Sequence, residues 1–316
     1  EKLTSLSFAD KVFFCNSGTE AVESAIKLAR KYFFDQGQSG RTEIITMHNS
    51  FHGRTLGSLS ATAQKKFHTG FKPLLPGFKH IPFNDLQSAR KAITKKTCAI
   101  LVEPIQGEGG VNVPDPSYLK GLKKLCQKNG ALLIFDEVQS GFGRTGKLFA
   151  YELYKTKPDI MTMAKALGGG VAIGAMAATN KAMKSFVPGT HAATFGGNPL
   201  ACSAALATLK VITGKNFLNK VSATGNYFSQ RLQEIARKNP VVKEARGAGL
   251  FLALELNQPG HEIVVDCMNQ GFLINCIQQN VLRFIPPLTI SRKDIDSLVS
   301  VLSNSLTKLN DKQQTF

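Results

Sequence analysis

Two apolar runs that each end in a charged side chain, and a steady alternation of strand-like with helix-like segments, predict an α/β fold: a mainly parallel central sheet with helices on both faces. The first run, residues 131–135, ends in Asp136 and Glu137, and the second, Ile160–Met163, ends one residue before Lys165. Both are strand-length. Lying parallel, they place an acid and an amine at the same carboxyl edge, which is where open α/β sheets bind ligands. A lysine behind an apolar run and ahead of Gly168, Gly169 and Gly170 can be partly desolvated and so become a nucleophilic amine, the chemistry of a Schiff base.

The elements follow in order. Lys11–Cys15 is a short apolar strand, followed by the small-residue turn 16–20 and an amphipathic helix over 21–34. Strand, turn and helix leave backbone N–H groups at a positive helix end, which suits a phosphate. An ordinary N-cap, with Ser17 or Thr19 as cap and Glu23 in the first turns, fits the same residues. Glu43–Met47 is a strand, and the loop 48–55 sets Phe51 near Arg54. That pair suits a flat ring ligand carrying a carboxylate, but equally a loop whose aromatic fills a gap and whose arginine is solvated. Residues 85–96 read as helix, 98–102 as a strand, and Glu103 and Glu108 follow in a glycine-rich loop as either site acids or polar surface. A helix over 115–129, with Pro116 near its start, returns the chain to the central strand.

Beyond Lys165 come a strand at 172–179, a loop at 191–199, and a helix of small residues over 200–212 suited to close packing on a neighbour. Residues 1–215 are expected to form a large domain and 216–316 a smaller α+β domain. The latter reads as helix Phe217–Lys238, strands 241–246 and 250–256, helix 261–270, strands 272–275 and 281–284, and helix 292–309. Arg283 ends its strand, a position open to an ordinary ion pair.

Composition narrows the function. A chain of 316 residues, 43% hydrophobic, buries enough for one large domain and a smaller one. The formal charge of +17 favours anions, but lysines and arginines never run longer than two in a row, so a solvated surface is expected and nucleic-acid binding is not. Six cysteines without C-x-x-C spacing fit buried thiols in a reducing compartment, with neither a metal site nor a disulfide framework. No apolar stretch nears the roughly 20 residues that span a bilayer, and the first residues lack a signal-peptide core, so a soluble protein without membrane contact is expected. Gly141, Gly143 and Gly146 match G-x-G-x-x-G. A dinucleotide site, however, needs a strand running straight into the first glycine and an acid ending the next strand; here residues 136–140 intervene and Asp159 precedes its strand.

NSGTEA, FHGRT, EPIQGEGG, DEVQSGFGRTG, the lysine of MAKALGGG, TFGGNPLA and LRFIPPL stand in the order and at the spacings of the class III pyridoxal 5'-phosphate (PLP) aminotransferases, which the chain resembles from residue 10 to about 309. Within the class, FHGRTLGSLSATAQKKFHTGFKPLLPGF, GRTGKLFAYELY and TFGGNPLACSAALA are most similar to the acetylornithine aminotransferases. The resemblance implies the type I fold of PLP-dependent transferases, PLP as cofactor, and a homodimer with shared active sites. It also implies a reaction of arginine biosynthesis: the terminal amino group of N2-acetylornithine passes to 2-oxoglutarate, giving N-acetylglutamate 5-semialdehyde and glutamate. Ornithine and 4-aminobutyrate aminotransferases share every cofactor residue and stand as alternatives. A non-catalytic binding protein derived from the fold is the alternative of another class, and the retained Lys165, Asp136 and Arg54 weigh against it.

By the same resemblance Lys165 would hold PLP and move protons, and Asp136 would pair with the pyridine nitrogen. Gln139 would contact the ring hydroxyl and Phe51 would stack on the ring. Gly18 and Thr19 would bind the phosphate, joined by Thr194 of the other subunit. Arg54 would receive a substrate carboxylate, and Glu108 with Arg283 would form a pair near the distal end of the substrate. The expected location is the cytoplasm, or a mitochondrial or plastid matrix if a targeting segment precedes residue 1. Ala192 and Ala193 stand where the family usually has Gly and Ser, and Ala172 where it often has Pro. The family normally has some tens of residues before the point matching residue 1, a segment that completes the small domain.

Overall fold

A computed structural model gives the fold; it describes residues 1–314, and the side chains of 1–310. The chain divides into two compact units, one of residues 1–105, 114–142 and 149–213, the other of 106–113, 143–148 and the chain from Gly214 onward.

In the first unit, β1 (Lys11–Cys15), β2 (Glu43–Met47), β3 (Phe78–Ile81), β4 (Thr97–Val102), β5 (Leu132–Asp136), β6 (Ile160–Met163) and β7 (Gly174–Ala178) form one sheet in the order β1-β7-β6-β5-β4-β2-β3. Pairing is parallel from β6 through to β3, while β7 runs antiparallel between β6 and β1. The associated helices are α1 (Lys2–Ser5), α2 (Gly18–Phe34), α3 (Leu56–Ala61), α4 (Leu86–Ala92), α5 (Tyr118–Asn129), α6 (Ala150–Leu153), α7 (Asn180–Met183) and α8 (Pro199–Ile212). Ala99, Leu101, Leu132 and Ile134 share a core with Val22, Ile26 and Leu28 of α2. The alternate positions, Ile100, Val102, Leu133 and Phe135, are just as buried on the opposite face. Burial on both faces explains why β4 and β5 read as continuous apolar runs rather than as alternation.

The second unit carries α9 (Phe217–Lys238), β8 (Val242–Ala248), β9 (Phe251–Leu256), α10 (His261–Asn269), β10 (Asn275–Ile277), β11 (Val281–Phe284) and α11 (Arg292–Gln314). Its antiparallel sheet has the order β10-β11-β9-β8. One face packs Leu252, Leu254, Leu282 and Phe284 against Phe228, Leu232, Ile295 and Leu302 of the helices.

Several boundaries differ from the sequence expectation for local reasons. Helix α2 begins at Gly18 because Ser17 Oγ accepts from Glu20 N–H, while the Glu20 carboxylate reaches back to Asn16 N–H. The helix expected over 85–96 stops at Ala92, where Ile93 turns extended. The helix expected from 115 starts at Tyr118, two residues after Pro116. The strand expected at 272–275 is instead Asn275–Ile277, since Phe272 N–H donates to Cys267 O and closes the turn after α10. Strand β3 and helix α3 were not expected. All six cysteines are free and four are buried. Among the described residues no group of side chains is arranged to hold a metal, and no helix is long and apolar enough to cross a membrane.

Candidate active site

Strands β5 and β6 are parallel neighbours, with Asp136 in register with Thr162. Asp136 ends β5 and Lys165 follows β6, so the acid and the amine reach the same sheet edge, as the two apolar runs predict. Seven of the expected site residues, Gly18, Thr19, Phe51, Arg54, Asp136, Gln139 and Lys165, line one cavity of about 550 Å³. A larger cavity of about 680 Å³ in the same unit, lined in part by Phe13, Phe186 and Leu206, contains none of them. Chemistry, not size, identifies the site.

Asp136 is buried and its carboxylate is held on both oxygens. Oδ1 accepts from Thr162 Oγ1 at 3.0 Å and from Val138 N–H at 3.1 Å, and Oδ2 lies 2.7 Å from His52 Nδ1. Three donors from three segments fix the plane of the acid, which a buried carboxylate requires if it is to present one oxygen to a ligand. His52 was not singled out from the sequence, although it stands between Phe51 and Arg54. Its signal was a histidine inside a loop already marked for chemistry.

The loop carrying Phe51 is anchored at two points. Phe51 N–H donates to Glu103 Oε2 at 3.1 Å, so this buried acid, which also lines the cavity, holds the loop in place. Thr19 Oγ1 lies 2.6 Å from Ser58 Oγ and accepts from the N–H groups of Arg54 and Thr55 at 3.3 Å each. The first turn of α2 is thereby tied to the loop. Gly53 makes that approach possible: at φ +132 it is where glycine is favoured, and a Cβ would stand 2.3 Å from Thr19 Oγ1. Arg54 is exposed, with its guanidinium 4.5 Å from the centre of the Phe67 ring, and Phe67 meets Phe51 edge-on.

Lys165 adopts φ +46, in the left-handed region. For a residue other than glycine this costs about 1–3 kcal/mol and persists where the surroundings enforce it, commonly at functional sites. Glu137, next to Asp136, faces away from the cavity chemistry. Its oxygens accept from Ala150 N–H, Tyr151 N–H and Ser140 Oγ, so it caps α6. Burial pushes its carboxyl up to about 7, against the pull of those hydrogen bonds.

The remaining expected residues lie elsewhere. Thr194 is exposed on the loop before α8 and does not line the cavity of its own chain. Glu108 and Arg283 both belong to the second unit, where Arg283 Nη1 is 2.6 Å from Glu108 Oε1 and the arginine is buried. Their pairing, expected on resemblance, is present in the fold.

These residues suit PLP on the chemistry of the donor set. The ring nitrogen needs a buried, oriented acid, met by Asp136; the aldehyde needs an amine, met by Lys165; a flat ring needs apolar walls, supplied by Phe51 and Val138. The phosphate needs a helix start without a side chain in the way, and at Gly18 an added Cβ would stand 2.9 Å from Val138 Cγ1.

Comparison with known proteins gives the family. Residues 1–306 match the family described as Aminotransferase class-III. The acetylornithine aminotransferase of Methanocaldococcus jannaschii is 51% identical over 310 residues, 98% of this chain and 78% of that protein. That of Caldanaerobacter subterraneus is 50% identical over 305 residues, covering 96% and 77%. A solved ornithine aminotransferase of Toxoplasma gondii, described with partial occupancy of PLP at its active site, superposes with a TM-score of 0.94 at 34% identity, covering 99% of this chain and 76% of that one. A family match through nearly every described residue, and half of all positions identical to a relative over almost the whole chain, leave one conclusion: the chain belongs to the class-III aminotransferase family.

Proposed function

We propose that the chain is a PLP-dependent aminotransferase that moves the terminal amino group of N2-acetylornithine to 2-oxoglutarate, acting as a homodimer. The observation that carries this reading is the 51% identity to an acetylornithine aminotransferase over 98% of the chain, joined to a cavity in which Lys165, Asp136 and the start of α2 meet.

Bound in that cavity, PLP supplies an electron-withdrawing ring that makes the hydrogen on the amine-bearing carbon acidic. Lys165 would anchor the cofactor, and its Nζ would serve as the base that takes the proton from that carbon and returns it one atom away. Asp136, oriented by His52, Thr162 and Val138 N–H, would keep the ring nitrogen protonated, and Phe51 would cover the ring. Gln139 contacts the ring hydroxyl. The N–H groups at Gly18 and Thr19 hold the phosphate, with Thr194 of a second copy completing its shell. Arg54 holds the carboxylate of acetylornithine. Glu108 neutralises Arg283 while that substrate reacts and releases it when glutamate, with a carboxylate beside the reacting carbon, takes its place.

A second reading, ornithine aminotransferase, is favoured by the TM-score of 0.94 to the Toxoplasma gondii enzyme, although identity there is 34%. Steady-state assays with acetylornithine, ornithine and 4-aminobutyrate as donors to 2-oxoglutarate separate the readings. The proposal expects the largest kcat/KM for acetylornithine; a larger value for either other donor would replace it.

A further inference from the structure

Arg283, Ala253 and Arg246 stand directly opposite one another on β11, β9 and β8. Directly opposed residues leave a sheet on the same face. The alanine between them is too short to reach outward, and both guanidiniums extend to the same covering segment, residues 106–113. Arg283 takes the Glu108 side chain. Arg246 takes the backbone: its Nε and Nη2 donate to the Gly110 carbonyl oxygen at 3.1 and 2.7 Å. Gln278 Nε2 adds a bond of 2.8 Å to the carbonyl oxygen of Glu108 itself. Gly110 sits at φ +125, where glycine is favoured, and an added Cβ would stand 3.3 Å from Arg246 Nη2.

The two arginines do not compete for Glu108, because Arg246 has acids of its own. Its Nη1 donates to Glu255 Oε2 and, at 3.0 Å, to Glu244 Oε2. Both acids lie on the same sheet face, two positions from Ala253 and Arg246 respectively. The Arg246 side chain is 13% exposed, enough enclosure for these bonds to be worth more than those of a solvated pair.

We propose that Arg246 is a positioning residue for substrate-charge selection: by fixing the Gly110 carbonyl, with Glu255 as its own counter-charge, it holds Glu108 against Arg283 and sets how readily that pair opens for a second substrate carboxylate. This rests on the reading of Glu108 and Arg283 as a switch between acetylornithine and glutamate. Removing the clamp loosens Glu108, frees Arg283, and biases the enzyme toward dicarboxylates.

The test uses the PLP-loaded enzyme and two readouts: the Kd of glutarate, a dicarboxylate with no amine to react, and the ratio of acetylornithine to glutamate half-reaction rates. Glu108→Ala defines the full effect. Arg246→Gln should tighten glutarate and lower the rate ratio in the same direction, by about 3- to 10-fold. The double variant should go no further than Glu108→Ala alone. Glu255→Gln, which leaves Arg246 in place with Glu244 as its remaining acid, should shift both readouts the same way by a smaller factor and serves if Arg246→Gln does not fold. Unchanged glutarate affinity and rate ratio in Arg246→Gln and Glu255→Gln, or effects that add to those of Glu108→Ala, would overturn the proposal while leaving the switch intact. If Glu108→Ala itself moves neither readout, the switch reading fails and takes this inference with it.

Discussion

His52 Nδ1 donates to Asp136 Oδ2 across 2.7 Å, with both side chains buried. A carboxylate oxygen only accepts, so the contact places the histidine proton on Nδ1. Removing this donor leaves a buried acid one bond short, a deficit of about 1–3 kcal/mol, or roughly 5- to 150-fold in an equilibrium constant. His52→Ala should therefore weaken PLP binding by about that factor in an equilibrium titration, while a far-ultraviolet spectrum shows the fold retained. Wild-type affinity in the variant would mean that the pair does not prepare Asp136 for the ring nitrogen.

Arg54 is exposed beside Phe67, and among the described residues no acid forms an ion pair with it. A guanidinium held this way binds a carboxylate with two parallel hydrogen bonds, which lysine cannot reproduce. Arg54→Lys should raise KM for acetylornithine and for 2-oxoglutarate by about 10-fold or more, with a smaller change in kcat. A loss confined to one substrate would assign Arg54 to that substrate alone.

Glu137 brings a pH dependence to stability. Its carboxyl is raised by burial from an ordinary value of 4.5 to about 7. The folded chain therefore holds this proton more tightly than the unfolded chain does. The contribution is fully present below about 4.5 and is lost as the pH rises through about 7, amounting to about 3 kcal/mol. Thermal unfolding followed from pH 4.5 to 7.5 should show this decline, and Glu137→Gln, though less stable, should show a flatter slope across the same window. Parallel slopes would place the titration on other groups.

Leu200, Leu206 and Val211 of α8 and Phe195 before it are 76%, 55%, 59% and 71% exposed, a concentration of apolar surface that isolated chains seldom carry. If this face meets a second copy, Leu206→Glu should convert dimer to monomer in sedimentation velocity. It should also weaken PLP binding, since Thr194 would no longer reach the phosphate of the other chain. A wild-type dimer in the variant would move the interface elsewhere.

The sequence made much of this legible because buried parallel strands leave an unmistakable pattern. The runs ending at Asp136 and before Lys165 are apolar except at Thr162, and the structure buries both on two faces. Strand β3 was missed because its four residues, FKHI, set adjacent Lys79 and His80 between two apolar ends, neither an apolar run nor an alternation, and lie at the sheet edge, where burial is partial. His52 and Glu103 were harder for another reason. Each acts through contacts to residues 52 or more positions away, at Asp136 and Phe51, and no local pattern encodes such a distance. Likewise the loop 106–113 lies between strand and helix of the first unit in sequence, yet its bonds from Arg246, Gln278 and Arg283 join it to the second.

Lys165, at φ +46 on the cavity edge, is the residue to which the proposed function assigns the cofactor. Borohydride reduction of the PLP-loaded protein, followed by peptide mapping, tests this directly. The account predicts the reduced cofactor on the peptide containing Lys165 and on no other; a label on a different lysine, or none at all in a yellow protein, would contradict it.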